Sequence, residues 1–225
     1  AQHPDGSLPS TAPDILRDKV SPGTAHAAGF ADAMVVVPHV LHERYGDRAV
    51  VADNLDAATR WMGRAAELSR DVLASRGFQW GDWLDPAAPL EDAGAGATPQ
   101  ELLAAAYLCR GADLMAELSA AVGLDASRWR AEAERARRAF RDAFATPRGL
   151  LVSESVTAYA LALAWDLLAD EEATLGRMVA KLAARGFRVS TGFLGTPVVM
   201  DALTARGRPD LAARILFQDR EPSWL

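Results

Sequence analysis

Apolar residues recur at helical spacing along most of the chain, in segments separated by breaks rich in glycine and proline. Residues 25–46 (AHAAGFADAMVVVPHVLHERYG) predict a loop running into a helix that ends at Gly46, with Pro38 either kinking it or marking its first turn. Residues 48–74 predict one long amphipathic helix. A loop over 75–98 follows. Thr98, Pro99 and Glu101 then supply an N-cap, a first-turn proline and a capping-box acid for a helix that runs to Gly123. Asp125 opens another, ASRWRAEAERARRAFRDAF, whose alternating Arg and Glu mark a solvent-facing stripe. TPRGLL (146–151) reads as a turn. SVTAYALALAWDLL (155–168) is nearly all apolar, so it predicts an inner helix buried on every side. Asp170 caps a more polar partner, and VVMDALTARG and PDLAARILFQD complete the series.

The helices therefore alternate, a more apolar one followed by a more polar one, in about four pairs. Turns are short within a pair and longer between pairs. Such antiparallel hairpins must stack to bury their apolar faces. The fold class is all-α. Two architectures fit: an open superhelix, or a closed toroid with an inner and an outer ring. No fixed motif recurs at superhelical-repeat spacing, which favours the toroid. Residues 1–23 carry turn signals and little periodicity, and predict an irregular lead-in to a single domain spanning 1–225.

Composition narrows the function classes. The formal net charge is -6, against the basic face expected of a nucleic-acid binder. The single cysteine, Cys109, excludes an internal disulfide framework and reads as a small core residue. His39 and His42 share a helix face, but no third ligand stands at a metal-binding spacing, so no metal or cofactor is expected. The apolar run VVVPHVL is too short to cross a membrane. Residues 1–20 contain no signal-peptide apolar region, and a chain opening at Ala1 leaves the compartment undetermined.

The candidate chemistry sits in the longer loops, which precede the more apolar helices. These are GFADA with Phe30 and Asp32, WGDWLDP with Trp80, Asp82, Trp83 and Asp85, SESVTAY with Glu154, and TGFLGTP over 191–197. Flat rings beside carboxylates suit a sugar: a ring covers the C–H face of a pyranose, and carboxylates accept from its hydroxyls. Paired carboxylates also suit glycoside hydrolysis. Each loop has a local reading too. Trp83 could plug a core gap, Asp82 could cap a turn, Asp32 and Glu154 could cap helices, and Gly192 and Gly195 could serve a close backbone approach.

Taken in order, PDGSLP, GFADAMVVVP, ERYGD, WGDWLDP, TAYALAL, STGFLGTP, DALTARGRPDLA and EPSWL resemble the bacterial α-L-rhamnosidases, which are six-hairpin (α/α)6-toroid glycoside hydrolases. The resemblance covers nearly the whole chain. It implies an inverting hydrolysis of terminal α-L-rhamnose from rhamnosides, one carboxyl protonating the leaving oxygen and a second activating water. In that family the acid lies in a D-x-x-x-R-x-E-R type segment before the PDG motif, and the base in a segment like GATTIWERW after PSWL. Neither is present here. The resemblance thus implies about four of six hairpins, no catalytic residue in this chain, and an inactive isolated piece.

What it carries over is substrate binding. Asp32 matches the aspartate of the family's GWGDA segment, and Trp83 the tryptophan of its GDWL segment, with Asp82 beside it. His39 stands where the family has a tryptophan, and Phe30-Ala31 replaces a Trp-Gly. The implied partner is a rhamnose-containing glycoside, with no nucleic acid and no membrane. The alternatives are a non-catalytic helical toroid or solenoid that binds carbohydrate or protein, and a six-hairpin glycosidase for another sugar.

Overall fold

A computed structural model describes residues 2–9, 11–15, 27–69, 79–148 and 150–225. Its regular elements are helices: α1 (Ala33–Tyr45), α2 (Arg48–Leu68), α3 (Gln100–Ala121), α4 (Ser127–Phe144), α5 (Val156–Ala164), α6 (Glu171–Ala184), α7 (Thr196–Ala205) and α8 (Pro209–Leu216). An isolated bridge between Ala145 and Leu151 closes the TPRGLL turn. The chain divides into two compact units, Ala1–Gln79 with Tyr107–Ala139, and Trp80–Ala106 with Phe140–Leu225.

In the first unit α1 packs on α2. Gly46 makes the turn between them because it adopts φ 67, a left-handed backbone that strains any residue with a side chain, and its N–H caps the His42 carbonyl. Asp47 then caps α2 by accepting from the Val50 N–H. Pro38 sits in the second turn of α1, not the first, and is buried. The core gathers Val35, Val51, Trp61, Met62, Cys109 and Met115. Burial pushes the Cys109 thiol up to about 12, as for a packed, inert side chain. A Cβ on Gly111 would lie 2.7 Å from Met62 Sδ, so the glycine lets α3 close on α2.

Gly123 (φ 77) and Asp125 turn α3 into α4, Asp125 accepting from the Ser127 N–H. Arg137 on α4 pairs with Asp113 on α3, Arg135–Glu132 is a part-buried pair, and Arg138–Glu134 lies on the solvent face. The described part of the lead-in lies on α2: Gln2 donates to the Ala57 carbonyl, and a Cβ on Gly6 would meet that of Arg60. Residues 1, 10 and 16–23 of the lead-in, 25–26 of the first predicted segment, 70–74 of the predicted long helix and 75–78 of the loop after it lie outside the described residues.

In the second unit α5 packs against α6 and α7, and α7 against α8. Every residue from Val156 to Leu163 is buried, the all-round burial its composition predicts. Ser155 caps it by accepting from the Ala158 N–H, and Asp170 caps α6 in the same way. α5 ends at Ala164, short of the predicted Leu168. Asp166 turns the chain at φ 52, the Leu167 N–H closes back on the Ala162 carbonyl, and Leu167 and Leu168 stay buried outside the helix. Thr196 and Pro197 start α7. The first helix of each successive pair is the more apolar, and the long loops precede α3, α5 and α7 as predicted.

Candidate functional site

The four predicted site residues fall two in each unit: Asp32 and His39 in the first, Asp82 and Trp83 in the second.

Asp32 ends the turn that leads into α1. It occupies the N-cap position, yet its side chain makes no capping bond. Its carboxylate turns back instead. Oδ2 accepts from the Gly29 N–H at 2.7 Å, and Oδ1 from the Trp61 indole at 2.9 Å. A carboxylate has about four acceptor positions, so this arrangement fills half of them. The residue is 3% exposed. Burial pushes its carboxyl up to about 6, overcoming the two hydrogen bonds that favour the charged form. Trp61 is the partner that sequence reasoning missed. It sits mid-helix in α2 with no loop signal, and only its core-facing register marks it.

His39 lies seven residues further along α1, on the same face as Asp32. Its Nε2 meets Glu117 Oε2 on α3 at 2.6 Å, which fixes the ring.

In the second unit WGDWLDP and TGFLGTP are stitched together by one side chain. Asp82 is 0% exposed. Its Oδ2 accepts from the Thr157 hydroxyl and the Gly192 N–H, and its Oδ1 from the N–H groups of Leu194 and Gly195. Two donors on each oxygen saturate the carboxylate. This geometry makes Asp82 an organiser of the 191–196 loop, with no acceptor position left for a sugar hydroxyl. The backbone joins in: the Phe193 N–H donates to the Trp83 carbonyl at 2.7 Å.

The glycines permit this contact. A Cβ on Gly192 would stand 2.1 Å from the Asp82 carbonyl oxygen, and one on Gly195 would stand 2.2 Å from Thr157 Oγ1. Thr157 was also missed, although a threonine hydroxyl inside the apolar run VTAYALAL was a readable signal.

Trp83 is half-buried, and its ring stands edge-on to Trp80 with centroids 4.9 Å apart. Asp85 braces its own loop, accepting from the N–H groups of Ala87 and Ala97. Glu154 does not cap α5. It accepts from the Tyr159 hydroxyl and pairs with Lys181, whose bond holds its carboxyl below the usual range. WGDWLDP therefore contains no free carboxylate pair. What it presents is a ring on a firmly held loop.

Comparison with known proteins places this geometry. The sequence matches the bacterial α-L-rhamnosidase six-hairpin glycosidase domain family across residues 1–225. It is 35% identical to the α-L-rhamnosidase of Streptomyces avermitilis over 226 residues, and 30% identical to that of Formosa agariphila over 230. Both alignments take in the whole chain. The structure of the S. avermitilis enzyme complexed with L-rhamnose superposes with a TM-score of 0.85, over 100% of this chain and 21% of that one. The native enzyme of Aspergillus terreus gives 0.88 at 30% identity, over 98% of this chain and 26% of that one. The chain spans about a fifth to a quarter of the length of the relatives it matches. On the family match along its full length, the chain belongs to the six-hairpin glycosidase domain family of the bacterial α-L-rhamnosidases.

Proposed function

We propose that the protein carrying this chain hydrolyses terminal α-L-rhamnosidic bonds, and that this chain supplies part of the wall that holds the sugar. The observation that carries the reading is the Asp82 knot. It fixes Trp83 on a firmly held loop, in a chain of this family, with the residue half-buried. Such a ring covers the apolar face of a pyranose, losing little freedom when the sugar docks.

Each residue has a distinct role in this reading. Trp83 stacks on the sugar. In the first unit, taken by itself, Asp32 accepts from Gly29 and Trp61 and keeps two acceptor positions unfilled, which suit hydroxyl donors. His39, braced by Glu117 through Nε2, offers its other ring nitrogen as a hydrogen-bond partner. Asp82 acts through the loop rather than by contact.

We assign no catalytic carboxyl to this chain. Asp82 is saturated by four donors, Asp85 braces its own loop through the N–H groups of Ala87 and Ala97, and Glu154 pairs with Lys181. The inverting mechanism needs an acid that protonates the leaving oxygen and a base that activates water opposite it. In the full protein these groups come from elsewhere in its sequence, so residues 1–225 alone bind without turning over.

A panel of aryl glycosides tests the reading. The full-length protein should release the chromophore from the α-L-rhamnoside at least tenfold faster than from the β-D-glucoside or β-D-galactoside, a margin of about 1.4 kcal/mol. Preference for another member of the panel would replace rhamnose with that sugar. No release from any of them would return the domain to a binding role.

A further inference from the structure

Asp32 stands at the N-cap of α1 and does not cap it. An aspartate there ordinarily accepts from a backbone N–H two or three residues on, which stabilises the helix. Here the carboxylate turns the other way, to the Trp61 indole N–H at 2.9 Å and the Gly29 N–H at 2.7 Å. Both side chains are buried. Trp61 comes from α2, whose buried positions Val51, Ala58 and Met62 share its face. α3 comes close as well: a Cβ on Gly111 would lie 3.9 Å from Asp32 Oδ1. The carboxylate is thus held among a turn, α2 and α3, all within the first unit.

Satisfying the Trp61 indole does not by itself call for an acid. A neutral acceptor does the same without burying a charge. Asp32 instead carries two unfilled acceptor positions into the interior, and burial pushes its carboxyl up to about 6. Among the described residues no cation pairs with it. The Trp61 bond pulls the other way, favouring the charged form. A buried carboxylate that is half filled and caps nothing is suited to a donor that arrives from outside the chain. One fixed donor on Oδ1 also limits how the carboxylate can rotate.

We infer, on the rhamnoside reading above, that Trp61 is a positioning residue for sugar binding: its indole N–H fixes the Asp32 carboxylate in the orientation whose unfilled positions accept from rhamnose hydroxyls. Trp61 itself touches no substrate and acts through Asp32. A carboxylate oriented before the sugar arrives loses little freedom when the sugar docks.

Steady-state hydrolysis of an aryl α-L-rhamnoside by the full-length protein tests this in a double-mutant cycle of Trp61→Phe and Asp32→Ala. Trp61→Phe keeps a buried ring and removes the N–H. It should raise KM about tenfold, the scale of a hydrogen bond to a charged group, and leave kcat within about twofold. In the Asp32→Ala background the same change should move KM by less than about twofold, because the group it positions is gone. Equal effects in the two backgrounds would assign Trp61 to packing and overturn the inference. So would a wild-type KM in Trp61→Phe beside a raised KM in Asp32→Ala. Absence of wild-type turnover, or a wild-type KM in Asp32→Ala, would remove the sugar-binding reading of Asp32 itself, and the role of Trp61 with it. A crystal structure of the wild-type full-length protein with L-rhamnose needs no variant. Asp32 should accept from Trp61 and from a sugar hydroxyl at once, and an Asp32 that leaves Trp61 to reach the sugar would overturn the inference.

Discussion

Two buried aspartates in this chain have opposite fates. Asp82 is saturated by four protein donors; Asp32 keeps half of its acceptor capacity open and is uncomfortable as an anion. The difference makes separable predictions. Asp82→Asn keeps the shape but turns two acceptor positions into donors that face donors. Its cost should be about 2–6 kcal/mol, since each of the two buried donors left unpaired costs about 1–3. A drop of several degrees in melting temperature is the expected result.

Asp32→Asn acts through pH. A buried carboxyl whose pKa is raised to about 6 keeps its proton after the unfolded chain has released it. Its favourable contribution is therefore complete below the ordinary aspartate value, and is lost as pH rises through about 6. The wild type should lose up to about 3 kcal/mol across that window relative to Asp32→Asn, at 1.36 kcal/mol per unit. Denaturant unfolding at pH 4 and pH 7 measures the difference, and parallel pH profiles for the two proteins would contradict it.

At the level of elements, the sequence pattern reads most helices correctly because their ends carry local chemistry. Asp47, Ser155 and Asp170 all cap by accepting a backbone N–H three residues on. The overrun at α5 has a physical cause: Leu167 and Leu168 continue the apolar run and are buried, but the chain has already turned at Asp166. Hydropathy reports burial there, not helicity. Pro38 was equally ambiguous, since a proline is compatible with a first turn and with an interior position.

The knot between WGDWLDP and TGFLGTP was not legible. Asp82 and Gly192 are 110 residues apart, and the sequence offered a local explanation for each. It was the closeness of the two backbones that decided between a flexible turn and a close approach. Gly192→Ala should accordingly destabilise the loop by about 1–3 kcal/mol or more, as overpacking does. Gly176→Ala, in the interior of α6 with open space at its Cβ, should instead stabilise by about 0.5–1 kcal/mol. Thermal melts of the two variants moving in opposite directions would support the assignment, and a neutral Gly192→Ala would refute it.

For the molecule as a whole, the ordered loop motifs carried the family from sequence alone, and the family match over residues 1–225 shows it. Physical pattern gave the helical pairs and the place of the candidate loops. It could not distinguish Asp82 as an organiser from Asp82 as a ligand, because a carboxylate's partners are set by folding. The central claim is that Trp83, held by that organiser, is a sugar-binding surface for a rhamnosidase. Steady-state hydrolysis of an aryl α-L-rhamnoside by the full-length protein and its Trp83→Ala variant tests it most directly. Loss of a stacked ring should raise KM at least tenfold, about 1.4 kcal/mol, in a variant that still melts cooperatively. A folded Trp83→Ala protein with wild-type KM and kcat would contradict it.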